Sequence, residues 1–203
     1  MNAFSDYVSD VAQVFNWMSR TLTPLPLYVM GHSLGGGIAI HFCAQYGKFL
    51  NGLILSAPGY KTGGTISPLT IMVGRILVHF FPRLRLHSTS SPGLSRDPQV
   101  VENYRKDPLA SHFNTLKQGA EVLDAFKKIP ELCQQITVPT IILHGTADSV
   151  ILPQGSFEIL QALKAADKEL HYLPGVFHEP HLDLDKENFF SILTRWLEKK
   201  ISQ

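Results

Sequence analysis

The run Leu25-Pro26-Leu27-Tyr28-Val29-Met30 is followed at once by Gly31-His32-Ser33-Leu34-Gly35 and then by the helix-like stretch Ile38 to Tyr46. An apolar strand that passes straight into a helix through G-x-S-x-G has the pattern of a nucleophile elbow, in which the serine stands on a sharp turn with its hydroxyl exposed. A turn that tight leaves no room for Cβ atoms beside the serine, which is the expected reason for Gly31 and Gly35. Ser33 Oγ then projects from the strand end, with a helix N-terminus just beneath it. Amide N–H groups there can stabilise a developing oxyanion, and the N–H of Leu34 is the first candidate donor. His32 is expected to point away from Ser33 and to support the turn.

A serine hydroxyl is a poor nucleophile at neutral pH and needs an imidazole base oriented by a carboxylate. Asp148 follows the apolar segment Thr140 to His144 in Leu143-His144-Gly145-Thr146-Ala147-Asp148, and His178 follows Glu169 to Leu173 in Pro174-Gly175-Val176-Phe177-His178. Both positions lie just beyond strand ends, on the edge of a parallel sheet where the elbow serine also emerges. Alternatives stand beside each. Asp148 in isolation suits a turn or a helix cap before Pro153. His178 competes with His181 and His144; Pro174-Gly175 ends the strand and favours His178, whereas His181 leads into the last helix and His144 suits packing at a strand end.

The remaining pattern gives the frame for these residues. Tyr7, Val11, Val14, Phe15 and Met18 recur at helical spacing and predict a helix over residues 4–21. Leu25 to Met30, Gly52 to Ser56, Thr140 to His144 and Glu169 to Leu173 predict four buried strands. Helical patterns separate most of them, so the class is α/β with a mostly parallel sheet flanked by helices. Between Pro58 and Val138 no strand is evident: apolar Ile66 to Phe81, a Pro/Ser/Arg-rich stretch from Pro82 to Asp97, and a periodic segment from His112 to Lys128 predict a helical insertion. The first of its helices is apolar nearly all round, as in buried core or in a lid with an acyl-facing side.

Composition narrows the function classes. A chain of 203 residues supports one sizeable core with a small insertion, and Lys+Arg 18 against Asp+Glu 17 disfavours nucleic-acid binding by bulk electrostatics. Cys43 and Cys133 have neither metal-ligand nor redox spacing and suit two buried thiols in a reducing compartment. The N-terminus carries acids and no basic n-region, unlike a signal peptide. The longest apolar stretch, Leu69 to Phe81, is broken by Gly74, Arg75 and His79 and is too short to span a bilayer.

GHSLGGG at 31–37, SAPG at 56–59, Leu94-Ser95-Arg96-Asp97-Pro98 through Asp107-Pro108-Leu109, HGTAD at 144–148 and GVFHEPH at 175–181 together resemble one family. It is the monoacylglycerol lipase and lysophospholipase (serine aminopeptidase S33-like) family of α/β-hydrolases, and the likeness runs across nearly the whole chain. The resemblance implies Ser33 as nucleophile, Asp148 as triad acid, His178 as base and the Leu34 N–H as oxyanion donor. It also implies a single domain over 1–203 with a helical cap at 59–130 and an apolar cap helix that shapes an acyl channel. The substrates implied are monoacylglycerols, lysophospholipids or simpler esters, with no cofactor and no metal. The expected location is cytoplasmic, with peripheral membrane contact through the cap left open.

Members of that family carry several strands and an HG-type loop ahead of the serine strand, and the loop supplies a second oxyanion N–H. Here 24 residues precede Leu25, which leads to the expectation of an N-terminally shortened sheet. Its first strand becomes an apolar edge open to pairing with a second copy. Two other readings stay open: a related hydrolase acting on thioester or amide bonds or as an acyltransferase, and a catalytically silent module that binds an apolar ligand or a partner.

Overall fold

The computed structural model describes residues 3–22, 24–63, 68–87, 93–111 and 113–202. Ile66, residues 88–92 and His112, which belong to segments singled out above, lie outside the described residues. The chain runs α1 (Phe4–Thr21), β1 (Tyr28–His32), α2 (Leu34–Tyr46), β2 (Gly52–Ser56), α3 (Pro68–Phe80), β3 (Arg85–His87), α4 (Pro98–Lys106), β4 (Phe113–Thr115), α5 (Leu116–Lys127), α6 (Ile129–Cys133), β5 (Thr140–Gly145), α7 (Pro153–Ala162), β6 (Lys168–Leu173) and α8 (Lys186–Ile201).

Four strands form one parallel sheet in the order β1-β2-β5-β6. The two inner strands, β2 and β5, are buried along their whole length. Side-chain alternation divides their residues between two apolar layers. Leu53, Leu55 and Ile142 pack with Phe4, Val8, Ile40, Phe42 and Ile159 under α1, α2 and α7. Ile54, Ile141 and Leu143 pack with Phe189, Leu193 and Trp196 of α8 on the other side. Helices on both faces explain why these strands read as unbroken apolar runs rather than as alternation.

The serine strand starts later than its apolar run suggests. Leu25 to Leu27 stay outside β1, which begins at Tyr28 and continues through Gly31 and His32 opposite Leu55 and Ser56. Pro24 and Pro26 have no N–H for a ladder, and Leu27 is tied instead to Asn51, giving its amide to Asn51 Oδ1 at 2.8 Å and accepting the Asn51 amide at 2.7 Å. Gly31 and His32 of the motif therefore belong to the strand itself.

The insertion between β2 and β5 is not purely helical. Arg85–His87 pairs antiparallel with Phe113–Thr115, a ribbon too short to show as alternation in sequence. Thr115 Oγ1 then caps α5 by accepting the Gln118 amide at 3.2 Å, so the helix opens at Leu116 rather than at His112. Asp97 caps α4 in the same way through Gln99. Buried core is ruled out for α3: Leu69, Met72, Ile76 and Phe80 are 53–73% exposed.

The turn from β1 into α2 depends on glycine, though not on both expected ones. A Cβ at Gly31 would lie 2.2 Å from the carbonyl oxygen of Gly35, and one at Gly36 would lie 2.7 Å from Pro58 Cα. At Gly37 it would meet the Phe126 ring at 2.7 Å. At Gly35 it would meet nothing within 4 Å, so the steric role expected of Gly35 passes to Gly36 and Gly37. Gly31→Ala and Gly36→Ala are therefore expected to lower stability by about 2–3 kcal/mol through overpacking against backbone. Gly35→Ala is expected to be neutral, or stabilising by up to about 1 kcal/mol, because alanine restricts the unfolded chain and favours the helix. Urea unfolding midpoints of the three variants check the contrast.

Candidate active site

Ser33 sits at the junction of β1 and α2 with φ 52° and ψ −123°, a conformation that L-residues rarely adopt. Backbone hydrogen bonds hold it there. Its amide donates to Ser56 O at 3.0 Å, and its carbonyl accepts from Gly36, Gly37 and Gly59 at 2.9, 3.4 and 2.7 Å. A serine at a helix N-cap ordinarily turns its hydroxyl onto the first-turn amides. Here no such cap bond forms, and Ser33 Oγ lies 2.9 Å from His178 Nε2 instead.

His178 is 3% exposed, and its Nδ1 lies 2.7 Å from Asp148 Oδ2. With Nδ1–H donating to the carboxylate, Nε2 is left as an acceptor for the Ser33 hydroxyl. Ser33, Asp148 and His178 thus form one hydrogen-bonded line, from loops that follow β1, β5 and β6 at the C-terminal edge of the sheet. His181 does not reach Ser33; its ring packs on His32 with centroids 4.8 Å apart. His32 turns away as expected, bonding Ser56 Oγ through Nδ1 at 3.1 Å. Its ring centroid lies 4.9 Å from that of His178.

Asp148 also fulfils its alternative role as a turn residue. Oδ1 accepts the amides of Val150 and Ile151 at 2.8 and 3.0 Å. Oδ2 accepts from His178 and from His144 Nε2, the latter at 3.1 Å. His144 is fully buried at the end of β5, and its other nitrogen lies 2.6 Å from Ser156 Oγ. Sequence reasoning treated His144 as packing and missed this contact. The four-residue spacing between His144 and Asp148 around a tight glycine turn was the available signal. Burial alone pushes the Asp148 carboxyl up, but bonds from His144 and His178 outweigh it and hold the group well below the usual carboxylate range.

The first turn of α2 contributes amides. Those of Gly36 and Gly37 go to Ser33 O, while Leu34 N–H, ahead of them, has no carbonyl of its own helix within reach. Among the described residues no group of His, Cys, Asp and Glu has the arrangement to hold a metal ion, and no helix is long and apolar enough to cross a membrane. Cys43 and Cys133 are buried, free thiols, and burial pushes both up to about 12.

The family model described as serine aminopeptidase S33 matches residues 1–185. The chain belongs to this family of α/β-hydrolases. Among its relatives, the monoacylglycerol lipase of Mycolicibacterium smegmatis is 27% identical over 194 residues, or 95% of this chain and 69% of that one. The monoglyceride lipase of Homo sapiens is 28% identical over 202 residues, or 97% of this chain and 66% of that one. The chain thus spans about two thirds of the length of these curated relatives. The crystal structure of the Paleococcus ferrophilus monoacylglycerol lipase superimposes with a TM-score of 0.84 at 26% identity, covering 95% of this chain and 76% of that one. A soluble variant of the Saccharomyces cerevisiae monoglyceride lipase, in complex with a substrate analog, gives 0.83 at 25% identity over 97% of this chain and 69% of that one.

Three histidines whose side chains are withdrawn from water make stability pH-dependent. Burial first, and then the neighbouring His178 and His181, lower His32 to about 3 from an ordinary value of 6.5. His41 and His181 are lowered in the same direction, again chiefly by burial. Between those two pH values the unfolded chain binds a proton that the folded chain refuses, so stability falls as pH drops through this window. Below the usual carboxylate range the contribution of Asp148 is lost as well. The urea midpoint is expected to decline steadily from pH 7 to pH 4, and His32→Gln is expected to flatten the slope.

Proposed function

We propose that the chain is a serine hydrolase that cleaves carboxylic esters of lipids, of the monoacylglycerol or lysophospholipid class, through Ser33, His178 and Asp148. The observation that carries this reading is the unbroken line from Ser33 Oγ to His178 Nε2 at 2.9 Å and from His178 Nδ1 to Asp148 Oδ2 at 2.7 Å. Membership of the S33 family and similarity to proteins named monoacylglycerol and monoglyceride lipases support the substrate class.

In this reading His178 takes the Ser33 proton as Oγ attacks the ester carbonyl, and the Leu34 N–H donates to the oxyanion that forms. Asp148 stays ionised, fixes the imidazole tautomer and stabilises the imidazolium. His178 then returns its proton to the departing glycerol oxygen, which leaves an acyl-Ser33 ester. Water, deprotonated by the same imidazole, attacks that ester, and as the fatty acid is released the imidazolium returns the proton to Ser33 Oγ. The family resemblance assigns a second oxyanion donor to a loop ahead of the serine strand.

Residues 59–130 act as the cap in this reading. Between α3 and α5 lies a cavity of about 360 Å³ lined by Ile71, Leu77, Leu84, Leu86, Leu116 and Leu123, an apolar surface suited to an acyl chain. The exposed apolar face of α3, with Leu69, Met72, Ile76 and Phe80, is suited to peripheral contact with a lipid surface.

A fluorophosphonate probe is expected to label the folded protein, and Ser33→Ala is expected to abolish labelling; an unlabelled folded sample overturns the reading. Asp148→Asn is expected to lower kcat by roughly 10⁴-fold, because the imidazole then holds the wrong tautomer. A Cβ at Gly119, on the α5 wall of the cavity, meets nothing within 4 Å. Gly119→Leu is therefore expected to raise KM for a p-nitrophenyl laurate at least several-fold while leaving p-nitrophenyl acetate unchanged. Comparing the two esters checks both the cavity and the preference for longer acyl chains.

A further inference from the structure

The loop that carries His178 is fastened at its two ends by different parts of the chain. At its start Gly175, with φ 72°, gives its amide to Thr146 Oγ1 at 2.8 Å, and Val176 O accepts the Ala147 amide at 3.0 Å. These bonds come from the neighbouring Asp148 loop of the sheet. From His178 onwards the partners belong to the insertion. His178 N donates to Gly93 O at 3.3 Å, Glu179 N donates to Leu94 O at 2.8 Å, and Ser95 Oγ donates to Leu182 O at 3.3 Å.

The far end of the loop is held by charge. The side chain of Asp183 is 0% exposed, and among the described residues its hydrogen bonds from outside its own loop come from Arg96. The Arg96 backbone amide reaches Oδ2 at 3.1 Å, and Nε and Nη2 reach Oδ1 at 2.8 and 2.5 Å. Nη2 also reaches Asp185 Oδ2 at 2.6 Å. A buried carboxylate that loses its cation moves towards water or forces its loop to rearrange. His178 lies five residues before Asp183, in the same short connection between β6 and α8.

We propose that Arg96 is a positioning residue for His178: its bonds to Asp183 fix the far end of the histidine loop, so that the insertion and the sheet together set the distance from His178 Nε2 to Ser33 Oγ. This rests on the catalytic reading of Ser33, His178 and Asp148. Arg96 touches neither of the reacting side chains and acts only through the loop. Displacement of a base by about 1 Å is enough to cost on the order of 10² in rate.

The test compares wild type, Arg96→Ala, Arg96→Lys, Asp183→Ala and the double variant Arg96→Ala/Asp183→Ala. Arg96→Ala is expected to slow fluorophosphonate labelling of Ser33, and kcat for p-nitrophenyl butyrate, by about 10–100-fold, with KM within about threefold of wild type. Arg96→Lys keeps the charge but not the planar fork and is expected to recover part of the loss. The double variant is expected to be no slower than the worse single one, since both remove the same interaction. Hydrogen exchange gives a readout independent of activity: the amides of His178 and Glu179 should exchange at least tenfold faster in Arg96→Ala, while those of Ile141 to Leu143 keep their protection. Unchanged exchange at His178 and Glu179 overturns the proposal, as does a rise in KM with kcat unaltered. If wild type is not labelled yet exchange at the loop rises in Arg96→Ala, the hydrolase reading falls and the clamp stands.

Discussion

Ser33 occupies a backbone conformation that costs a residue with a side chain about 1–3 kcal/mol, and the surrounding structure is arranged to keep it there. The restraint is not a side-chain contact but a ring of main-chain hydrogen bonds: one from the Ser33 amide to Ser56 O, and three onto its carbonyl from Gly36, Gly37 and Gly59. Those amides can converge only where backbone approaches backbone closely. Gly31 lets the first turn of α2 fold over the strand, and Gly36 lets Pro58 lie against the helix. At Gly59 a Cβ would lie 2.9 Å from Ser33 O and 2.5 Å from the Phe126 ring. Ala57, with φ 41°, is the second non-glycine residue in a positive-φ conformation among those described, and it brings the β2 loop across to the elbow. The same geometry that frees the Ser33 hydroxyl from capping its helix aims it at His178.

Electrostatics at the other end of the line follow a similar logic of complete satisfaction. Asp148 is buried, and an ionised carboxylate is tolerable there only because donors meet both oxygens. Val150 and Ile151 serve Oδ1, and His144 and His178 serve Oδ2. Two histidines on one oxygen divide the work. His144, backed by Ser156 and also near Ile151 O at 3.0 Å, is locked in place. His178 has its second nitrogen directed at Ser33.

What could be read from sequence follows the range of the interactions. Gly31-His32-Ser33, the strands Gly52–Ser56 and Thr140–Gly145, and helix Phe4–Thr21 are fixed by local pattern, and the first, third and fourth loops could be ordered because parallel strands put their C-terminal ends on one edge. Asp148 and His178 were legible for that reason. The start of β1 was misjudged because apolar character does not reveal that Pro24 and Pro26 withhold the N–H groups a ladder needs. Gly35 was given a steric duty that belongs to Gly36 and Gly37, since the partner that crowds them, Pro58 or Phe126, lies 22 or 89 residues further along the chain. The β3–β4 ribbon, whose strands lie more than twenty residues apart in the chain, has no local signature either.

Arg96 shows how far such non-local terms reach into the site. In sequence, Leu94-Ser95-Arg96-Asp97 carries only a family resemblance, and Asp97 as a helix cap accounts for one residue of it. Its neighbours work across 87 positions of sequence, on the loop between β6 and α8. Gly93 to Arg96, on the C-terminal side of β3, are bonded to the histidine loop through backbone amides and a buried ion pair. The other strand of that connection runs through Gly63, whose amide donates to Val150 O at 2.7 Å, and through the bridge between Thr62 and Ile151. Those bonds fall on the loop that carries Asp148. The insertion is therefore fastened to the loops of both partners of Ser33, to the Asp148 loop through Thr62 and Gly63 near its start and to the His178 loop through Gly93 to Arg96 in its middle.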